Sequence, residues 1–288
     1  MVILNVMSSK LKFAISSALI LAVAIVAWLW YYRRAHPTYV PPPPKEEITI
    51  TIIPGWNLRQ VAEYLVEKGI ASTTEDVYKI TGEPARDYRI GGVAAPRIQL
   101  DVDLLIDKPN YVSYEGYLAP ETYRVYKDAT VLEGINTLIN QRELQITEEM
   151  RQEVDGQGRT LHQTLTMASI LEKEVRNSVD KAMVADILWR RLERGWALQV
   201  DSSVHYAVDK RGEVFTKKQE REFDSYWNTY KYPGLPLGPI SNPSIASIEA
   251  ALHPEKNNYW YFLTTLDGQV KYARTLDEHN GNRGRYLR

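Results

Sequence analysis

From Phe13 to Tyr32 the chain runs without a charged residue, about the ~20 residues that a helix needs to cross a hydrocarbon core. The run ends in Trp28, Trp30, Tyr31 and Tyr32, followed by Arg33 and Arg34, and lacks the small residues of a cleavage site. This pattern predicts an uncleaved transmembrane helix over residues 13–32, preceded by a short N-terminal segment, residues 1–12. Residues 33–47 contain Pro37 and the run Pro41 to Pro44, which favours a stiff polyproline II linker over packed structure.

Beyond the linker the pattern changes period. Ile and Thr alternate from Ile48 to Ile53, which predicts a short strand ended by Pro54-Gly55. Leu58, Val61, Ala62, Leu65 and Val66 then fall at helical spacing, with Gly69 as a stop, and Ser72 with Glu75 reads as a capping box opening a second helix. Strand, helix and helix define a small α+β module over residues 48–112, whose second half carries no clear period. Helices are predicted from Val131 to about Leu144, from Thr160 to Val175 and from Asp180 to Glu193. The rest of 113–288 reads as mainly helical, which makes the fold class α+β with an N-terminal membrane helix.

Composition narrows the function. The 35 basic residues nearly balance 36 acidic ones, against a partner such as nucleic acid that is recognised by its phosphates. The chain has no Cys, so thiolate metal sites, disulfides and a cysteine nucleophile are excluded. It has no H-E-x-x-H, P-loop, G-x-S-x-G or glycine-rich dinucleotide turn. Asp101, Asp103 and Asp107 lack the Gly and terminal Glu of a calcium loop, and no metal or other cofactor is expected.

The candidate chemistry lies in M-A-S-I-L-E-K-E, ending at Glu174. At ~100° per residue, Leu161, Leu165 and Ala168 lie within about 40° of Glu172, so its carboxyl belongs to an apolar face. Removal from water there is expected to raise its pKa and let it hold a proton near neutrality. Glu174 is expected on the opposite side, nearer Met167 and Ile170. Periodicity alone leaves open a surface glutamate paired with Arg176 four residues on.

Three segments in order carry a resemblance: M-A-S-I-L-E-K-E, then L-Q-V-D-S-S-V-H-Y at Leu198 to Tyr206, then N-T-Y-K-Y-P-G-L-P-L-G-P-I-S-N-P at Asn228 to Pro243. With I-P-G-W-N-L-R-Q-V-A from Ile53 and E-G-Y-L-A-P-E-T-Y from Glu115, the chain resembles the endolytic murein transglycosylase, or YceG-like, family. The resemblance implies a LysM-like subdomain at 48–112 and a lytic-transglycosylase catalytic domain at 113–288, with Glu172 as general acid and then base. It also implies that Gln199, Asp201, Asn228, Thr229 and Tyr230 line a glycan cleft, where amides and hydroxyls suit sugar hydroxyls and acetamido groups. Asp201 as a helix cap and Tyr230 as core packing remain open.

The implied partners are peptidoglycan glycan strands and peptidoglycan synthases, and the implied location is a bacterial cytoplasmic membrane. The flanking charges, Lys10 and Lys12 before the span and Arg33 and Arg34 after it, nearly tie. Orientation therefore rests on the external substrate, with 1–12 cytoplasmic and the catalytic part outside. Two competing functions remain. One is a lysozyme-like hydrolase that adds a second carboxylate from Glu115, Glu121 or Asp201; the other is a non-catalytic peptidoglycan-binding scaffold.

Overall fold

A computed structural model describes residues 9–36, 44–210 and 217–287. It divides into two units, Met1–Lys45 and Glu46–Arg288. In the first, helix α1 (Ser9–Ala35) contains a span, Leu11–Ala35, with a mean hydropathy of 2.3 and no buried side, long and apolar enough to cross a membrane. Residues 37–43 of the expected proline-rich linker, Pro37 and Pro41 to Pro43 included, lie outside the described residues.

The second unit is mixed α and β, and mostly helical. Strand β1 (Glu47–Thr51) leads through the Pro54-Gly55 turn into α2 (Leu58–Glu67), which buries Leu58, Val61, Ala62 and Leu65 as the apolar period predicts. Its N-cap Asn57 and Gln60 bond each other's backbone N–H groups, satisfying donors that a helix start otherwise leaves open. Helix α3 (Thr74–Thr81) starts one residue later than Ser72 predicts, because Thr73 and Asp76 form the capping box. After a 3₁₀ turn at Asp103–Leu105 comes β2 (Thr122–Tyr126), antiparallel to β1 with Ile50 opposite Tyr123. This pairing crosses the expected division between 48–112 and 113–288.

Four helices follow: α4 (Val131–Gln145), α5 (Glu148–Gly156), α6 (Leu161–Glu174) and α7 (Ser178–Glu193). Helix α6 is not simply amphipathic, since every residue from Thr164 to Leu171 is buried. Its hydroxyls stay satisfied inside the core by back-bonding, as with Thr166 Oγ1 to the His162 carbonyl. Short helices α8 (Asp201–Ala207) and α9 (Lys218–Arg221) precede a long irregular segment, and α10 (Ile245–Leu252) then packs on α6 and α7. A hairpin, β3 (Tyr261–Thr264) with β4 (Val270–Ala273), and α11 (Leu276–Tyr286) complete the unit.

Candidate active site

Glu172 sits in the last turn of α6, where the helix meets the start of α10. Its Oε2 accepts four hydrogen bonds: from Ser244 N at 2.9 Å, Ser244 Oγ at 2.5 Å, Ser247 Oγ at 2.6 Å and Lys181 Nζ at 3.2 Å. Ser244 is the N-cap of α10, so the carboxylate also meets the positive end of that helix. The side chains of Glu172 and Lys181 are 11% and 6% exposed, so this is a nearly buried ion pair rather than a surface one. None of the four bonds falls on Oε1.

This corrects the expected ionisation. Burial does work to raise the Glu172 pKa, but the bonds from Ser244 and Ser247 and the Lys181 charge outweigh it and hold the carboxyl below its ordinary value. The ion-pair partner is Lys181, from α7, rather than the Arg176 that periodicity left open. Glu174 is the glutamate whose pKa is raised, through burial, against a 2.6 Å bond from Ser202 Oγ. It points to the start of α8 rather than to Met167 and Ile170.

Two segments enclose Glu172. Gly55, with φ of +81°, lies so close that an added Cβ would stand 3.5 Å from Glu172 Cγ, and its carbonyl accepts from Lys173 Nζ at 3.3 Å. Bonded to Gly55 through the Asn242 carbonyl, the 240–244 stretch is pinned to α6: Ile240 N donates to Ser169 Oγ at 3.0 Å, and Ser241 Oγ donates to the Ser169 carbonyl at 3.1 Å.

The five predicted glycan-binding residues come together beside Glu174. Tyr230 donates its hydroxyl to Asp201 Oδ1 at 2.6 Å, and Gln199 N donates to the Thr229 carbonyl at 3.3 Å. Gln199 is exposed and holds a left-handed backbone, φ +53°, which is unusual for a residue with a side chain. Asp201 and Tyr230 are half-buried. Asp201 is the first residue of α8 rather than its cap, a position taken by Val200.

Asn228 and Thr229 are buried, at 0% and 1% exposure. The Asn228 amide donates to the carbonyls of Arg221 and Phe223, and Thr229 Oγ1 accepts from Val200 N. Thr229 thus braces the Gln199–Asp201 turn from inside, and the Asn228 amide ties the 221–223 stretch and accepts from Tyr230 N at 3.0 Å.

A family model described as the YceG-like family matches residues 37–285. The chain belongs to the YceG-like family. A Bacillus subtilis relative named endolytic murein transglycosylase is 38% identical over 173 residues, covering 60% of this chain and 48% of the relative. A Streptococcus pneumoniae protein of the same name is 29% identical over 173 residues, covering 58% of this chain and 31% of its own. The chain therefore spans half or less of the length of these relatives. The crystal structure of a putative YceG-like protein from Listeria monocytogenes matches with a TM-score of 0.66 and 31% identity, over 81% of this chain and 74% of that one.

Within this YceG-like chain, sequence reasoning missed Lys181, Ser244 and Ser247. Lys181 reads as an ordinary helix-surface lysine, since nothing local says that α7 turns it inward. Ser244 and Ser247 carried a legible signal. Ser-x-x-Ser directly after Asn242-Pro243 is a helix start, and helix starts attract carboxylates.

Proposed function

We propose that this chain is an endolytic peptidoglycan lytic transglycosylase that cuts the MurNAc–GlcNAc bond with Glu172 as its single acid and base. The observation that carries the reading is the asymmetry of the Glu172 carboxylate. Among the described residues the bonds from Ser244, Ser247 and Lys181 all fall on Oε2, which fixes the group and leaves Oε1 to exchange a proton. The names of the Bacillus and Streptococcus relatives support the same chemistry.

In the proposed reaction, Oε1–H protonates the glycosidic oxygen while the C1–O bond breaks, and the leaving sugar departs as an alcohol. The muramoyl acetamido oxygen assists at C1. The Glu172 carboxylate then takes the proton of that sugar's C6 hydroxyl as O6 closes on C1, giving a 1,6-anhydromuramoyl end and restoring the acid. Because the free carboxyl is held ionised, substrate has to help load the proton. A bound glycan that covers Oε1 from water raises the cost of the charge and does so.

A hydrolase with a second carboxylate fits less well. Glu115 is 2% exposed and accepts the Leu58 N–H with both oxygens, and Asp201 is bonded by Tyr230. Gln199, Asp201 and Tyr230 would contact the glycan, with Asn228 and Thr229 holding them, and the 48–112 region would act as a LysM-like glycan holder. The family resemblance extends this reading to trimming or terminating nascent strands beside peptidoglycan synthases. Helix α1 would anchor the chain in the cytoplasmic membrane, with residues 46–288 on the outer side. An export-dependent reporter joined after Arg288 is expected to be active; activity only from a cytoplasm-dependent reporter would overturn that orientation. The reaction is tested by mass spectrometry of muropeptides released from purified cell wall. The expected products are 1,6-anhydro ends, and products with reducing ends alone would mean that water is the acceptor.

A further inference from the structure

Glu115 is buried at the point where the two segments enclosing Glu172 meet. Its Oε1 and Oε2 accept from Leu58 N, the first N–H of α2, at 3.0 and 2.8 Å. Its Oε1 also accepts from Asn242 Nδ2 at 3.2 Å, and the nearby Tyr206 hydroxyl favours the charged form of the same carboxyl. Asn242 joins the two segments directly. Its N–H donates to the Trp56 carbonyl at 2.8 Å, its carbonyl accepts from Gly55 N at 2.9 Å, and its Oδ1 accepts from Gly116 N and Leu118 N. Arg142, fully buried, adds bonds to the carbonyls of Leu118 and Pro243. Both segments held by this knot reach Glu172: Gly55 stands against it, and Ser244, two residues after Asn242, clamps its carboxylate.

We propose that Glu115 is a positioning residue for the Glu172 reaction: by holding the α2 start and the Asn242 amide together, it fixes both walls around the Glu172 carboxylate. This rests on the assignment of Glu172 above. The ionised form matters because Leu58 and Asn242 present hydrogens to Glu115. A neutral acid or an amide brings another hydrogen into that space, so at least one contact opens. The groups that face Glu115 are Leu58 N–H and Arg59 from α2, Tyr206 from α8 and Lys173 from α6. Burial pushes its pKa up to about 7, against the pull of all four. Both forms are therefore populated near neutrality.

The test compares kcat for the full-length native protein and Glu115→Gln, on purified glycan strands across pH, with Glu172→Gln alongside. Gln mimics the protonated acid. The native-to-variant ratio is expected near one below about pH 6 and about ten- to a hundred-fold above about pH 8. Any pH dependence of Glu172 shared by both proteins cancels in the ratio. A ratio that stays at one, or a loss that is constant with pH, overturns the proposal, because a general loss of stability does not follow this titration. Cleavage by Glu172→Gln at the native rate would instead overturn the assignment of Glu172.

If Glu115→Gln does not fold, Tyr206→Phe carries the test, since it keeps the ring and deletes the hydroxyl that favours the charged form of Glu115. The Glu115 pKa then rises, and the native-to-variant ratio is expected to peak between the two midpoints. A flat ratio overturns the proposal.

Discussion

Glu172 and Glu174 stand two residues apart on α6 and are pushed in opposite directions, because burial acts on both while the donors gather on one. Three hydroxyl or amide donors and a lysine reach Glu172, whereas the Glu174 carboxyl meets Ser202 and lies near the Asp201 charge. The sign of the pH dependence follows. A general acid works protonated, so a depressed pKa makes kcat/KM fall as pH rises through that pKa. Ser247→Ala removes a bond that favours the carboxylate, so the proton is held to higher pH and the falling limb is expected to move upward. Lys181→Met is expected to move it the same way by a smaller amount, since the Lys181 charge holds the carboxylate less strongly than the Ser247 bond. A limb that stays in place in both variants would mean that another group supplies the proton.

At the scale of elements, Gly116 shows how tightly the E-G-Y-L segment is built in. Its φ is +84°, and an added Cβ would stand 2.5 Å from Pro239 Cβ and Cγ. Gly116→Ala is therefore expected to cost roughly 1–3 kcal/mol from strain and overlap, read as a lower urea midpoint at unchanged slope. An unchanged midpoint would mean that the 238–240 segment shifts freely. The same segment shows what was legible. Helices α2, α4, α6 and α7 were readable because their caps and apolar periods are local in the chain. Helix α10 and the β3–β4 hairpin are short and follow irregular stretches, so no period announced them. The site was less legible, because the Glu172 to Ser244 bond joins residues 72 apart in sequence and the Glu115 to Asn242 bond joins residues 127 apart. An apolar helix face correctly signalled burial of Glu172; it could not reveal the donors brought in by a distant helix.

At the scale of the whole molecule, the division at Lys45 and Glu46 separates an apolar helix from a unit with a continuous core that runs from Ile50 to Leu252. A chain that begins at Lys45 is expected to be soluble and to melt cooperatively. Aggregation with a broad melt would show that the unit depends on the residues before it. Within that unit the proposed chemistry rests on one carboxylate, and the direct test is the rate of glycan cleavage by Glu172→Gln in the full chain, with Glu174→Gln as control. Gln keeps the size of the side chain and removes its proton. Glu172→Gln is expected to keep the fold and to lose activity at or beyond the upper end of the ~10²–10⁴-fold typical of general acid–base catalysis, while Glu174→Gln keeps substantial activity; cleavage by Glu172→Gln at the native rate would contradict the assignment of Glu172.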